Sequence, residues 1–400
     1  MHSARYIFAG TLKLQTVSPC ASETTQLLLK LLRHCGRLTC LLGRLHGPRI
    51  THFSAFAKLH SLPLCSQKQT KVLSQSQLEY LVGFFDGDGC VARGDARRGF
   101  SLRVGQSSNK GEALLLFQRA FGGGGINVHS QGKGLGKPVV AWILCGVAAK
   151  TAAVVLSSFQ SQKRRQLMIA ANSSGSAASD MMATRLLLQQ LERQEPDLDD
   201  LCRTWPYLAV FFDAEGRIQV RPSSARPVLE ISQHYNPVLK VIQQFLQFEV
   251  PTISSTIRST GRTFILSSAK QHANIFVLRR LLEAGLCTKR DKALVALSSC
   301  PSSHHDVREL LASMKGNQCR HMRLDSAGVM RAKVLNRLYH SLRRRHCAGR
   351  KDNSELEREI TELKAEHDVA CARSRLAALR RDIRDLLKKG AWVVGKEVGI

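Results

Sequence analysis

Two carboxylates, Asp88 and Glu215, lie 127 positions apart in matching surroundings. Each falls at the last turn of an apolar, helix-like run, LVGFFDGDG at 81–89 and LAVFFDAEG at 208–216. A glycine follows at once, Gly89 or Gly216, the usual C′ punctuation of a helix. A helix C-terminus already carries about half a negative charge, so a carboxylate there is unfavourable on its own. Two such ends brought together make a concentrated negative site, and a divalent cation resolves the conflict. Mg2+ suits carboxylate oxygens shared with phosphate oxygens and water. A metal held there can orient a water for in-line attack on phosphorus and stabilise the leaving oxygen. Asp86 and Asp213, two positions earlier, are turned away from that face of the helix and read as structural.

The acids are one landmark of a longer repeat. Gln106 follows Asp88 by 18 residues and Gln233 follows Glu215 by 18; Lys163 and Lys289 follow the same acids by 75 and 74. Landmarks kept in step over such distances mean two copies of one unit. In each copy the motif helix leads into two strand-like runs, ending FSLRVGQ (100–106) and PVLEISQ (227–233). Helices are expected from Glu112 to Phe121 and from Pro237 to Phe248, then strands around Ile126–His129 with Val139–Leu144, and Ile253–Ile257 with Phe264–Leu266. Gly122–Gly125 is a helix-to-strand turn, since no Lys-Ser/Thr follows it as a phosphate loop would require. A last helix carries the Lys163 or Lys289 region. The order αββαββα, used twice, predicts an α+β protein with two four-stranded antiparallel sheets. Strands that alternate basic and apolar residues pack helices on one face and offer cations on the other. Arg93, Arg97, Arg98, Arg103, Arg217, Arg221 and Arg226 are the candidates for that outer, nucleic-acid-facing surface.

Composition agrees with a polyanionic partner. The 400 residues carry 59 Lys+Arg against 31 Asp+Glu, a net charge of +28, with 44% hydrophobic residues. That is enough apolar material for a core, which excludes a wholly disordered chain. No apolar run reaches the roughly 18 residues of a membrane helix, so no membrane role is expected. Five segments follow. Residues 1–75 hold ten Lys/Arg and one acid, Glu23, and read as an organelle transit peptide, mitochondrial or plastid. Residues 76–172 and 201–297 are the repeats, and 173–200 is an acidic linker with a short helix. Residues 298–400 form a basic, largely helical extension, whose apolar register breaks between Leu363 and Leu376. Its run Leu342–His346 reads as a nucleic-acid contact, a nuclear import signal or a solvated basic face. The twelve cysteines include no C-x-x-C. Neither a disulfide framework nor a zinc finger is signalled; clusters such as Cys319/His321 and His346/Cys347 could hold a metal, but scattered reduced thiols are the plainer reading.

The paired motifs, glutamines and lysines resemble those of the single-chain LAGLIDADG homing endonucleases, over about residues 76–297. The resemblance implies a saddle straddling double-stranded DNA, a monomer with internal pseudo-twofold symmetry, and a staggered double-strand cut leaving 3′ overhangs at a long, partly asymmetric site. It implies that Asp88 and Glu215 share metal ions at the scissile region and that Lys163 and Lys289 lie near the reacting water and phosphate. Gln106 and Gln233 would hold solvent or contact DNA. The alternative is an RNA splicing factor (maturase) that uses the saddle for organelle intron RNA without cutting DNA. One departure stands out: Gly83 of the first motif is matched by Val210 in the second, which implies looser packing of the two helices.

Overall fold

The computed structural model describes residues 23–65, 73–94, 99–172, 178–197, 201, 203–221, 225–314, 320–349 and 352–393. The chain opens with α1 (Glu23–Leu42) and four short strands, β1 (Leu45–His46), β2 (His52–Ala55), β3 (Lys58–Ser61) and β4 (Leu64–Cys65). The first repeat comprises α2 (Gln75–Asp88), β5 (Gly89–Arg93), β6 (Phe100–Ser107), α3 (Glu112–Phe121), β7 (Gly125–Ser130), β8 (Val139–Cys145), α4 (Gly146–Ser157) and α5 (Arg164–Asn172). A connecting helix, α6 (Ala178–Arg193), leads to the second. That repeat comprises α7 (Trp205–Glu215), β9 (Gly216–Val220), β10 (Pro227–Gln233), α8 (Asn236–Glu249), β11 (Ser255–Ser259), β12 (Phe264–Ser268), α9 (Gln271–Glu283) and α10 (Arg290–Leu297). Then come α11 (His304–Ser313), α12 (Ser326–Cys347), α13 (Ser354–Lys388) and β13 (Trp392–Val393).

The repeats form an α+β architecture with two antiparallel sheets. Their strand orders match, β7-β8-β6-β5 in the first and β11-β12-β10-β9 in the second. The register matches as well: Gly89 pairs with Val104, and Gly216 with Ile231. The first sheet has a fifth strand that was not expected, since β4 pairs with β7 at Leu64 and Ile126. One continuous apolar core runs through both repeats, from Phe84, Phe85 and Trp142 to Phe211, Phe212 and Leu278.

The compact units divide at places that charge did not mark. One comprises residues 49–132 and 136–316; the other comprises residues 1–48, 133–135 and 317–400. The compact unit that holds both repeats thus extends beyond 76–297, to residues 49 and 316. Residues 49–65 belong with the repeats because Phe53 and Ala55, 1% and 0% exposed, are buried in that core. The β2 backbone is tied there too, by the Ser54 N–H to the Ser108 carbonyl at 2.7 Å. In the other unit α1 packs against α13 around Cys35, Leu42, Leu376, Leu379 and Ile383, and β1 pairs with β13. Residues 1–75, read from the sequence as a transit peptide, thus contribute to both compact units, and residues 1–22 and 66–72 lie outside the described residues. Helix α13 is continuous across the apparent break in register, because Val369 and Ala372 take up the buried stripe. Nor is the connecting helix short: α6 has 16 residues and buries Leu188 in the repeat core. No helix among the described residues is long and apolar enough to cross a membrane.

Candidate active site

Helices α2 and α7 pack side by side and end together. Ser74 starts α2 with a capping box to Gln77, and Thr204 caps α7 by accepting from the Tyr207 N–H. The Thr204 hydroxyl also donates to Glu79 at 2.9 Å, tying the two starts to each other. Close approach depends on α2: a Cβ on Gly83 would lie 2.8 Å from the Tyr207 carbonyl, and one on Gly87 2.2 Å from the Ala214 Cβ. Val210 is fully buried, and the two helices approach this closely through the glycines of α2.

Both terminating glycines are extended, with φ of −84° at Gly89 and −76° at Gly216. They do not supply the left-handed conformation that their position suggested. They supply room: a Cβ on either would lie within about 2.5 Å of the ring and carbonyl of Phe85 or Phe212. The chain turns straight from helix into strand, and this leaves Asp88 and Glu215 at the convergent ends.

The lysines complete the two helix ends. Lys163 donates from Nζ to the carbonyls of Phe85 (3.0 Å) and Gly89 (2.5 Å). Lys289 donates to those of Phe212 (3.0 Å), Asp213 and Ala214 (3.2 Å). Each ammonium therefore caps the negative end of a helix that also carries an acid. Asp86 and Asp213, 1% and 5% exposed, hold the turns from which the lysines project. Asp86 accepts from the Ser161 hydroxyl (2.6 Å), the Gln162 and Lys163 N–H groups (3.0 and 3.2 Å) and the Tyr207 hydroxyl (2.7 Å). Asp213 accepts from the N–H groups of Cys287 (2.6 Å), Thr288 (3.0 Å) and Lys289 (2.7 Å).

Charge at this centre is compressed. Burial and then the neighbouring Asp88 carboxylate push Glu215 up to about 7, against the pull of Lys289 and Lys163. Burial raises Asp88 as well, and it lowers Lys163. Lys289 is lowered to about 8, mainly by burial. Gln106 Nε2 donates to Asp88 Oδ2 at 2.6 Å, whereas Gln233 accepts from the His234 N–H at 3.1 Å. A cleft of about 200 Å³ beside the acids is lined by Gly87, Lys163, Glu215 and Gln233, together with Glu192 and Pro196 of the connecting segment. That segment is fastened by Tyr235 to the Glu192 carbonyl and by an Arg165–Asp197 ion pair of 3.2 Å.

The donor set fits a divalent cation that keeps most of its ligands from water and substrate. Two desolvated carboxylates raise each other's cost of ionisation, and Mg2+ is commonly held by one or two carboxylates plus phosphate oxygens. Among the described residues no group of three or more His, Cys, Asp or Glu side chains could hold a metal. Cys319 lies outside the described residues, and His346 faces Glu357 at 3.6 Å.

The expected basic surface is realised in part. Arg103 alternates with buried Leu102 and Val104, and Arg217 with buried Ile218, so both lie on the face away from the core. Arg221 continues the Arg217 face and joins Arg226 across the hairpin, N–H to carbonyl, at 3.1 Å. Arg93 departs from this pattern. It shares the parity of buried Val91 and its guanidinium stacks over the Phe100 ring at 4.7 Å, so it is not on the outer face. Arg97 and Arg98 lie outside the described residues. The sequence reading missed Arg258 of β11, which joins Arg217 in pairing with Glu230, at 2.8 and 3.9 Å. The alternation in STIRS carried that signal weakly. It also missed Tyr207 as a partner of Asp86, a contact across two helices that no local pattern announces.

No protein-family model matches the chain, and no curated protein matches it by sequence. Similar solved structures are LAGLIDADG proteins bound to DNA. The meganuclease I-AabMI bound to uncleaved DNA is 12% identical over 60% of this chain and 99% of its own, with a TM-score of 0.43. I-SmaMI bound to uncleaveable DNA is 14% identical over 61% and 100%, with a TM-score of 0.42. The homing endonuclease I-GzeII in complex with its DNA target is 14% identical over 62% and 98%, with a TM-score of 0.43.

Proposed function

We propose that this protein is a site-specific DNA endonuclease of the LAGLIDADG type, acting as a monomer whose two repeats address the two strands of a duplex. The observation that carries this reading is the convergence of Asp88 and Glu215 at paired helix ends, each end capped by a lysine ammonium. Asp88 and Glu215 would hold Mg2+, which supplies Lewis-acid stabilisation of the attacked phosphate and of the leaving oxygen. Gln106 orients Asp88 through its 2.6 Å hydrogen bond. Lys163 and Lys289 keep positive charge beside the carboxylates, where negative charge grows on the phosphate. Their backbone partners fix them before substrate arrives, so little reorganisation is needed. Asp86 and Asp213 act as positioning residues, because they hold the backbone from which each lysine projects. Arg103, Arg217, Arg221 and Arg226 supply phosphate contacts, whose affinity falls steeply with salt.

The test is incubation with a randomised duplex library and Mg2+, followed by sequencing of the ends. Staggered double-strand ends with 3′ overhangs at one recurrent site are expected. Intact library, together with tight binding of intron RNA, would overturn the endonuclease in favour of an RNA-binding role.

A further inference from the structure

A concentration of positive charge lies beside the lysine turn of the second repeat. Lys110, in the turn between β6 and α3, directs its Nζ to the carbonyl of Thr288, the residue before Lys289. The backbone beside Lys137 is tied to the same turn, where the Pro138 carbonyl accepts the Ser108 N–H at 2.8 Å, and Lys137 feels the charge of Lys110. Lys292 lies four residues after Thr288, in the first turn of α10. Among the described residues none of these three lysines forms an ion pair. Of the nearby acids, Asp213 accepts three backbone N–H groups and only partly offsets the charge at Lys292, and Glu112 accepts the Phe56 N–H at 3.2 Å through one oxygen. Burial lowers Lys292, and Lys110 and Lys137 lower it further; burial lowers Lys137, and Lys110 adds to it. Like charges this close are held at a cost that an anion would remove.

The matching place in the first repeat is different. Gln166 stands where Lys292 stands in the second and is 6% exposed, and Arg165 beside it is paired with Asp197. The positive site therefore belongs to one side of the centre only, and it is built from both repeats. Lys110 and Lys137 come from the first, Lys292 from the second.

We propose that Lys110, Lys137 and Lys292 form a binding site for the phosphodiester backbone of duplex DNA next to the reaction centre, on the second repeat's side alone. The proposal rests on the DNA reading above, and the experiment separates the two. Affinity of the full chain for a labelled 30-base-pair duplex is measured by fluorescence anisotropy across a salt series, without divalent metal. The triple variant Lys110→Gln/Lys137→Gln/Lys292→Gln is expected to lose about 2 to 3 from the slope of log affinity against log salt, at about 0.9 per phosphate contact. A control triple, Lys30→Gln/Lys364→Gln/Lys388→Gln, removes equal charge from exposed positions of the helical unit and is expected to keep the wild-type slope. Thermal unfolding of both variants confirms that they fold. An unchanged slope in the first triple, or an equal loss in the control, overturns the site. A loss seen on duplex RNA but not on DNA overturns it as a DNA site. No binding of DNA by the wild-type chain would instead remove the DNA reading itself.

Discussion

In the first repeat the buried acid Asp86 is held by two side-chain hydroxyls and two backbone N–H groups, and one hydroxyl, that of Tyr207, comes from the opposite helix. In the second, Asp213 is held by backbone N–H groups alone, and Tyr80, the counterpart of Tyr207, has Cys287 as its side-chain neighbour. Gln106 reaches Asp88, while Gln233 is bonded next to its own backbone. An acidic connector flanks the first lysine turn, and a lysine cluster flanks the second. Backbone register is kept between the copies while their chemistry has drifted apart. Pseudo-symmetry is thus a property of the scaffold, and each half of the centre has its own electrostatics.

The comparison can be broken most forcefully at the acids. Asp88→Asn and Glu215→Gln should each lower double-strand cleavage about a thousandfold or more, as for groups that act as a unit. Duplex affinity should stay within about twofold of wild type, so cleavage and binding are scored on the same DNA. Full cutting by either variant would show that the two helix ends do not work together.

Helix packing should be more sensitive on the α2 side. Gly83→Ala forces a Cβ to 2.8 Å from the Tyr207 carbonyl and should cost about 2 to 3 kcal/mol, the scale of overpacking. Val210→Ala removes only two buried methyl groups and should cost about 1 to 2 kcal/mol. Urea unfolding of both variants tests the order.

Protons and cations should compete at Glu215. Its carboxyl titrates at about 7 without metal, so cation affinity should climb about tenfold per pH unit below that value and level off above it. Glu215→Gln should flatten the profile, read by calorimetry with Ca2+ in place of Mg2+ to avoid turnover. The same shift affects stability. With a folded pKa above the unfolded one, Glu215 favours the metal-free fold below about pH 4.5, and that contribution is lost as pH rises through about 7.

The smallest contrast concerns the tyrosines. Tyr207→Phe leaves Asp86 short of one donor and should cost about 1 kcal/mol, the net worth of such a bond. Tyr80→Phe should change stability by less than about 0.5 kcal/mol, since its hydroxyl has no hydrogen-bonded N or O partner among the described residues. Equal effects of the two would mean that the copies are less different than their hydrogen bonds indicate.

Much of the fold was legible because it repeats locally. Helix α3 begins and ends where its residues suggested, Glu112 and Phe121, and the strand pairs follow the alternation of apolar residues within a residue or two. Less legible were features made by contacts distant in sequence. Hairpin β2–β3 carries only Phe53 and Ala55 into the core, too few for a pattern, and lies in a basic stretch that reads as an extension. Arg93 seemed a surface cation like its neighbours, but strand parity, unreadable without the position of the β5 start, turns it onto Phe100.

By itself the amino-acid sequence determined the two apolar helices, the acids at their ends, the constant spacing of glutamine and lysine behind them, and the excess of positive charge. These follow from local propensity and from a duplicated pattern, which survive in one dimension. Only the tertiary structure decided that each lysine caps the helix bearing its acid and that Asp86 and Asp213 hold the lysine turns. It also decided that the Lys110 ammonium reaches the carbonyl of Thr288, four residues before Lys292. Those contacts join residues some 75 to 180 positions apart, and their energy comes from burial and from charges forced into proximity, quantities that no single stretch of sequence contains.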